Sequence, residues 1–278
     1  MIKVTHNSGF FSCCSVKLYQ IIEFINSNKT LPDDVDSSAS FNNYKKYPHK
    51  DVTFDYFEHY KNISDVNIIH PAQYHHEDQF KNYATLDYKR ITPLIKKYFS
   101  PSSQINKIVN NIEEKYNIVV DNTVAVYYRG TDKFKETELS PYDEFYKQII
   151  KIVNINKDIN ILLQSDSAEF IDYINDKKLK NIIIINENKT SYSNRGIHNE
   201  KSPKVNHHDM FIFLSTIIIL SKCKYIICSS GNCSIWTMLY RGNSENVIQY
   251  LNETWYNSEH DDHCEYQAGV PQHRQHLY

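Results

Sequence analysis

From residue 117 onward the sequence alternates between short apolar runs and segments in which apolar residues recur with helical spacing. Two of the runs, residues 159–163 and 182–185, are almost entirely aliphatic, which is typical of parallel strands covered on both faces. This alternation predicts an α/β fold with a doubly wound sheet. The predicted strands are 123–128, 159–164, 181–185, 225–228 and 246–249, and the predicted helices are 142–153, 167–175, 209–221 and 233–240.

The first 117 residues follow a less regular pattern. A strand at 2–5, a loop around Gly9 and a helix at 16–25 form one predicted unit, and a second strand is expected at 66–70. Further helices are predicted at 54–60, 83–98 and 104–116, whereas the polar segment 28–50 is predicted to be a loop. Pro93 either interrupts its helix or starts a new one. Since 278 residues suit two domains of moderate size, we place the domains at 1–117 and 118–278.

Charge and apolar patterning exclude several classes of protein. The formal net charge is −2, so no global basic field indicates a nucleic-acid partner. The start of the chain lacks the pattern of a signal peptide, and the most apolar segment, 211–220, is much shorter than the ~20 residues that span a bilayer. The six cysteines have no C-x-x-C spacing, which favours reduced core cysteines over a metal site. We therefore expect a cytoplasmic protein without a transmembrane segment.

The predicted strand at 123–128 ends in the turn RGTDK, which is rich in charge. Arg129 and Lys133 supply two cations at the strand end, and a guanidinium can pair with two oxygens of a phosphate. Asp132 could orient Arg129, while Glu136 or Glu138 could accept a proton from a sugar hydroxyl. The alternative is an exposed turn held by salt bridges, without a ligand.

Two other predicted strands also end in polar residues. Asp166 and Ser167 follow the strand at 159–164; either residue could cap the next helix, and Asp166 could also accept hydrogen bonds from a base or ribose. The segment CSSGNCS at 228–234 precedes an apolar helix and is either a plain cap or an anion site built from backbone N–H groups and hydroxyls. It has neither a Walker lysine nor a GxGxxG pattern. Its candidate ligand-binding residues are Ser229, Ser230, Gly231, Asn232 and Ser234.

Histidines mark three further segments. The loop at 194–199 combines Arg195 with His198. His207 and His208 are adjacent, so on a helix they would point to different faces and would not share a metal; Asp209 is predicted to start that helix. The C-terminal run 260–276 is interpreted as a surface tail, with metal binding as the weaker alternative.

Taken together, these segments resemble one family. An apolar strand that runs into RGTDK, followed by Glu136, resembles the R-x-T-D-K signature of the α1,6-fucosyltransferases, whose superfamily includes the α1,2- and protein-O-fucosyltransferases. The sequence LLQSDS at 162–167 resembles the family's strand ending in T-D-D or T-D-S, and the helix, strand, serine-rich loop and helix of 209–239 also have counterparts. The resemblance covers 119–249. This chain departs from the pattern at Tyr127, where the family has histidine, and at Gly130, where it has a second arginine.

The resemblance implies a GT-B architecture with two Rossmann-like domains facing each other across a cleft. The second domain would bind GDP-fucose, and the first would lie on the acceptor side. Arg129 would contact the diphosphate and Asp166 the guanosine, with the serine-rich loop cradling the phosphates and His198 in a loop that has a family counterpart. Lys133 would help to stabilise the leaving group, and either Glu136 or Glu138 would be the base.

The function expected from these residues is a metal-independent, inverting fucosyltransferase that transfers fucose from GDP-fucose to a hydroxyl of a glycan acceptor. Inversion follows from one base and no covalent nucleophile, and no cofactor or metal is expected. One alternative is a GT-B transferase with another nucleotide sugar, and another is a non-catalytic module that binds a glycan or nucleotide. The aromatic residues of the first half could line the acceptor site or form its core, and these are Tyr44, Tyr47, Phe54 and Tyr56.

Overall fold

A computed structural model describes residues 1–196 and 202–258 of the chain. The described residues form eight α-helices and eight β-strands, together with short 3₁₀ turns. The helices are α1 (Phe10–Asn28), α2 (Thr53–Tyr56), α3 (Tyr88–Tyr98), α4 (Ser103–Lys115), α5 (Tyr142–Ile155), α6 (Ala168–Asp176), α7 (Pro203–Lys222) and α8 (Asn232–Arg241). The strands are β1 (Ile2–Lys3), β2 (Val35–Asp36), β3 (Thr123–Tyr128), β4 (Asn160–Ser165), β5 (Ile182–Ile183), β6 (Tyr225–Ser229), β7 (Val247–Leu251) and β8 (Thr254–Asn257).

Six of the strands form the main sheet, in the order β5-β4-β3-β6-β7-β8. Strands β3 to β7 are parallel, and β8 is added antiparallel to β7 at the edge. The chain builds β4 and β5 on one side of β3 and then crosses to place β6 and β7 on the other side. The strand order therefore reverses between β3 and β6, and in open α/β sheets this switch point is where the carboxyl ends of the strands bind ligands.

Residues of β3 alternate between the two faces of the sheet. Val124, Val126 and Tyr128 belong to one buried cluster, which also contains buried side chains of α5 and α6. Ala125 and Tyr127 belong to a second cluster, which contains buried side chains of α7 and α8. Because helices cover both faces, the apolar strand runs predicted the doubly wound arrangement correctly.

The first half of the chain has a smaller sheet of two parallel strands, β1 and β2, each two residues long. The predicted strand at 66–70 does not form: its apolar residues are partly exposed, and nothing pairs with it among the described residues. The second strand is instead β2, inside the polar segment that was predicted to be a loop. Helix α3 runs through Pro93 rather than stopping or restarting there.

Helix α7 begins six residues earlier than predicted, at Pro203 instead of Asp209. Proline suits the first position of a helix because its missing N–H would have no partner there, and Ser202 precedes it at the N-cap position. The first two turns are polar, so they carry no apolar period by which the sequence could show them. Asp209 consequently lies inside the helix.

The second buried cluster joins the two halves of the chain. It contains Phe10, Phe11 and Leu18 from α1 as well as Ile226 and Trp236 from the second half. The Phe11 and Trp236 rings are stacked with their centroids 6.0 Å apart. Within the described ranges no helix is both long and apolar enough to cross a membrane. The division of the chain at residues 117 and 118 remains a prediction.

Candidate functional site

Arg129 lies directly after β3 at the switch point of the sheet. Its backbone N–H donates to the Ser229 hydroxyl at the end of β6, with an N–O distance of 3.1 Å. Its side chain is 21% exposed, and the guanidinium contacts two carboxylates, Asp166 after β4 and Asp132 in the same turn. The ends of three neighbouring strands thus converge on one arginine, as the polar residues after each strand predicted.

The guanidinium of Arg129 has N–H donors that remain available for a ligand. Burial lowers its pKa, but the negative charge of Asp166 beside it prevails, so the pKa of Arg129 is raised and the side chain stays charged. A guanidinium carries five N–H donors, and the two carboxylates engage one on each terminal nitrogen. The described residues place no other acceptor on it, so the remaining donors can pair with a phosphate.

Asp166 holds the turn after β3 in place. One carboxylate oxygen accepts from the Gly130 N–H at 2.7 Å. The other accepts from the Thr131 hydroxyl at 2.6 Å and pairs with Arg129. A carboxylate offers about four acceptor sites, so one remains for a ligand. Asp166 therefore orients Arg129 in this structure, and contact with a guanosine stays a prediction.

Gly130 is packed where no side chain fits. A β-carbon at this position would stand 2.8 Å from the Ser167 β-carbon and 2.9 Å from Cε1 of Tyr128, both closer than real β-carbons come. The fucosyltransferase family places its second arginine at this position. In this chain the turn instead packs tightly against Ser167, just after β4. Arg129 is therefore the only arginine of the turn.

Lys133 lies in a buried position between the two halves of the chain, with 5% of its side chain exposed. Its Nζ is 3.3 Å from Oε1 of Gln79 and 4.6 Å from the centre of the Phe80 ring, both in the first half. It also pairs with Glu136 at 2.5 Å. A β-carbon on Gly231 would stand 3.0 Å from the Lys133 Cε, so the cation lies against the loop that joins β6 to α8.

The serine-rich loop between β6 and α8 uses its hydroxyls to hold itself in place. Ser229 accepts from Arg129, Ser230 donates to the Tyr250 carbonyl at 2.8 Å, and Ser234 donates to the Ser229 carbonyl at 2.5 Å. The Asn232 side chain accepts from Ser15 of α1 at 2.9 Å. What the loop can offer an anion is therefore mainly the set of N–H groups in the first turn of α8, which have no intrahelical acceptor.

The first turn of α8 lies next to Arg129. Cys233 and Tyr127 both sit within electrostatic range of the guanidinium, and burial raises the pKa of each. Tyr127, which occupies the family's histidine position, faces this region from β3. Tyr44 of the first half is also close, since the positive charge of Arg129 acts on its hydroxyl. Arg129, the start of α8 and Tyr44 of the first half therefore lie close together at the switch point of the sheet.

The two candidate bases differ in their surroundings. Glu136 is half exposed, pairs with Lys133, and lines a pocket of about 330 Å³ together with Asp132, Lys135 and Arg195. Glu138 is exposed, and after burial and Glu253 its negative charge helps to raise the pKa of Tyr250. Only Glu136 of the two lines the pocket beside the arginine turn.

The structure describes all the other predicted site residues except His198. Ser167 caps α6, because its hydroxyl accepts from the Phe170 N–H at 3.3 Å, and it is buried. Asp132 pairs with Arg129, as expected of an orienting carboxylate. His198 lies outside the described residues, as does the C-terminal run 260–276.

Four residues of the site were not predicted. Thr131 lies inside the RGTDK turn and donates to Asp166, so the motif itself pointed to it. Gln79 and Phe80 contact Lys133, and the Tyr83 hydroxyl accepts from the Gly231 N–H at 3.0 Å. The Gln79 and Tyr83 contacts join residues 54 and 148 positions apart, and no pattern in the first half marks them.

Within the described parts of the chain no group of three or more histidine, cysteine, aspartate or glutamate side chains is placed to hold a metal ion. The five described cysteines are free thiols, namely Cys13, Cys14, Cys223, Cys228 and Cys233.

Comparison with solved structures identifies the fold. A crystal structure of NodZ α-1,6-fucosyltransferase with GDP superposes with a TM-score of 0.56 at 12% identity, covering 92% of this chain and 97% of that chain. NodZ from Bradyrhizobium superposes with a TM-score of 0.55, and a NodZ structure soaked with GDP-fucose with 0.54, each at 12% identity. The α/β fold is therefore of the GT-B fucosyltransferase type, which confirms the resemblance at the level of the fold. No protein-family profile and no curated protein sequence matches the chain.

Proposed function

We propose that the chain is a glycosyltransferase that transfers fucose from GDP-fucose to a hydroxyl of a glycan, with inversion and without a metal. The observation that carries this proposal is the convergence of the Arg129 guanidinium and the first turn of α8 at the switch point of the sheet. A guanidinium with spare donors beside free backbone N–H groups is suited to a diphosphate. The GDP and GDP-fucose complexes of the NodZ structures support this choice of donor.

Stabilisation of the leaving group falls to residues that are already in place. When the bond between the sugar C1 and the β-phosphate oxygen breaks, negative charge grows on the diphosphate. Arg129, held by Asp166 and Asp132, would meet that charge without reorganising, and this is how preorganised donors lower a barrier. Lys133 adds a second cation at the loop before α8.

The acceptor hydroxyl must lose its proton as it attacks C1 from the face opposite the diphosphate. We assign this proton to Glu136, because it lines the pocket beside Asp132 and half of its side chain is open to solvent. The acceptor oxygen forms the new bond to C1, the proton passes to the Glu136 carboxylate, and GDP leaves with the electron pair. Glu138 is the second candidate for this role.

The first half of the chain would form the acceptor side of the cleft. Gln79 and Phe80 contact Lys133, and Tyr44 lies near Arg129, so this half borders the proposed donor site. Tyr44 and Tyr56 are buried, Phe54 is partly buried and packs on the core, and Tyr47 is exposed. Tyr47 is thus the freest of the four aromatic candidates to meet a glycan.

Two variants test the proposal. In Arg129→Ala we expect thermal stabilisation by GDP to disappear, because the charge-assisted hydrogen bonds to phosphate are lost, while Arg90→Ala, a surface arginine paired with Asp87, keeps it. In Glu136→Gln we expect GDP binding to persist and fucose transfer to fall by about 100-fold or more.

Each outcome has a distinct meaning. If GDP does not stabilise the wild-type protein, the assigned donor is wrong. If GDP binds but no sugar is transferred to any glycan, the protein is a nucleotide-binding module rather than an enzyme. If Glu138→Gln abolishes transfer while Glu136→Gln does not, the base is Glu138.

A further inference from the structure

A second, larger pocket lies at the other end of the first half of the chain. It encloses about 740 Å³ between the end of α1, the segment before β2 and the end of α3. Helix α1 contacts the first residue of α8 through Ser15 and Asn232, and it ends at Asn28 next to this pocket. Since a helix rises 1.5 Å per residue, the end of α1 lies roughly 20 Å along the helix from Ser15 and the proposed donor site.

The pocket contains a buried hydroxyl that lacks a partner. Tyr98 is 2% exposed, and its side-chain oxygen makes no hydrogen bond among the described residues. Tyr98 lines the pocket, and its hydroxyl interacts electrostatically with Tyr60, Asp65 and Asp33, which line it too. A buried polar group without a partner costs free energy, and a ligand that accepts from this hydroxyl would recover it.

Charges in the pocket are balanced. Lys97 is buried and already bound, since its Nζ donates to the Ile63 carbonyl at 2.5 Å and to Asp65 at 2.9 Å. Lys61 and Asp33 are exposed and form no salt bridge with any described residue. Two lysines against two aspartates favour neither an anion nor a cation as the ligand.

Apolar side chains complete the lining. Leu31, Pro32 and Ile63 supply hydrocarbon surface beside Tyr60, and the free carboxylate and ammonium groups stand at its edge. An apolar surface edged by hydrogen-bond donors and acceptors matches a sugar ring, which carries C–H faces and a rim of hydroxyls. The volume lies in the range of pockets that hold small-molecule ligands, about 300–1,000 Å³.

We infer that this pocket is a second carbohydrate site, which binds a neutral part of a glycan remote from the reacting hydroxyl. The choice of a carbohydrate rests on the proposed function. The other observations are independent of the proposed function, namely the pocket, the unpartnered hydroxyl and the charge balance. A glycan held at both ends of α1 would be presented to the cleft from a fixed direction.

Direct titration of oligosaccharides tests the inference without requiring transfer. The probes are the neutral tetrasaccharides cellotetraose and maltotetraose and the acidic trigalacturonic acid, each added to full-length protein with GDP in excess. We expect a neutral tetrasaccharide to bind more tightly than the acidic one. Tyr98→Phe and Asp33→Asn should each weaken that binding roughly tenfold, because the first removes the hydroxyl and the second replaces a charged acceptor oxygen by an amide donor.

Matched variants separate this pocket from the cleft. Tyr74→Phe alters another buried tyrosine outside the pocket, and Arg129→Ala alters the cleft; neither should change tetrasaccharide affinity. The inference is overturned if neither neutral tetrasaccharide binds, if the acidic probe binds more tightly, or if Tyr98→Phe and Asp33→Asn bind like wild type. Loss of binding in Arg129→Ala alone would place the glycan in the cleft instead. If the protein binds tetrasaccharide but transfers no fucose, the inference about this pocket stands and the proposed function is wrong.

Discussion

At the scale of single residues, the tight turn after β3 depends on one glycine. Gly130→Ala would drive a β-carbon into Ser167 and Tyr128, both of which are buried parts of the core. We expect a loss of about 1–3 kcal/mol in the free energy of unfolding, together with weaker GDP binding because the Arg129 turn must shift. Chemical denaturation and GDP titration measure the two effects.

Gly9→Ala is the matched control for that substitution. A β-carbon on Gly9 would meet nothing within 4 Å, and its φ of −58° suits alanine. Stability and GDP affinity of this variant should stay near wild type. If Gly130→Ala were as mild as Gly9→Ala, the close approach of the turn to Ser167 would be wrong.

His6 links the stability of the first half to pH. Burial, and next the nearby His76, lower the pKa of His6 below its ordinary value of 6.5. The unfolded chain therefore binds the proton more readily, so stability falls as the pH drops from about 6.5 toward the lower folded pKa. We expect the melting temperature of His6→Gln to depend less on pH than that of wild type between roughly pH 7 and 5. Parallel slopes for the two proteins would contradict this.

At the scale of elements, Gln249 of β7 joins the sheet to the first half. Its side chain accepts from the Tyr83 N–H and donates to the Lys81 carbonyl and the Ser230 hydroxyl, each at 2.8 Å. Gln249→Ala should cost about 2–4 kcal/mol in the free energy of unfolding, since it leaves buried backbone groups unpaired. The exposed Gln104 of α4 gives a control, Gln104→Ala, that should stay within about 0.5 kcal/mol. Equal stability of the two variants would contradict the role of Gln249.

The elements differ in how far sequence could predict them, and the reason is physical. Strands β3, β4, β6 and β7 are buried and mostly apolar, so the sequence predicted both the strands and the polar residues that follow three of them. Strand β2 has two residues within a polar segment, and β8 follows β7 after a tight turn, so neither carries a pattern. The RGTDK motif predicted a role for Lys133. Its partner Gln79 lies 54 residues away in the sequence and meets it only in the folded protein. Convergence at Arg129 depends on strand order, which local patterns do not specify.

At the scale of the whole molecule, the two halves share one buried cluster. Phe11 stacks on Trp236, and the Trp236 Nε1–H donates to Ser15 at 2.9 Å, so α1 of the first half packs directly on α8 of the second. We expect the protein to unfold in a single transition, with calorimetric and van't Hoff enthalpies in agreement. Two separate transitions would show that residues 1–117 and 118–278 are independent folding units despite the shared core.

The central claim is that the cleft at the switch point of the sheet binds the diphosphate of a nucleotide sugar through Arg129 and the start of α8. A crystal structure of the protein soaked with GDP tests it most directly. We predict diphosphate oxygens about 2.7–3.1 Å from the Arg129 guanidinium and from backbone nitrogens of the first turn of α8. GDP bound elsewhere, or a diphosphate that does not touch Arg129, would contradict the account.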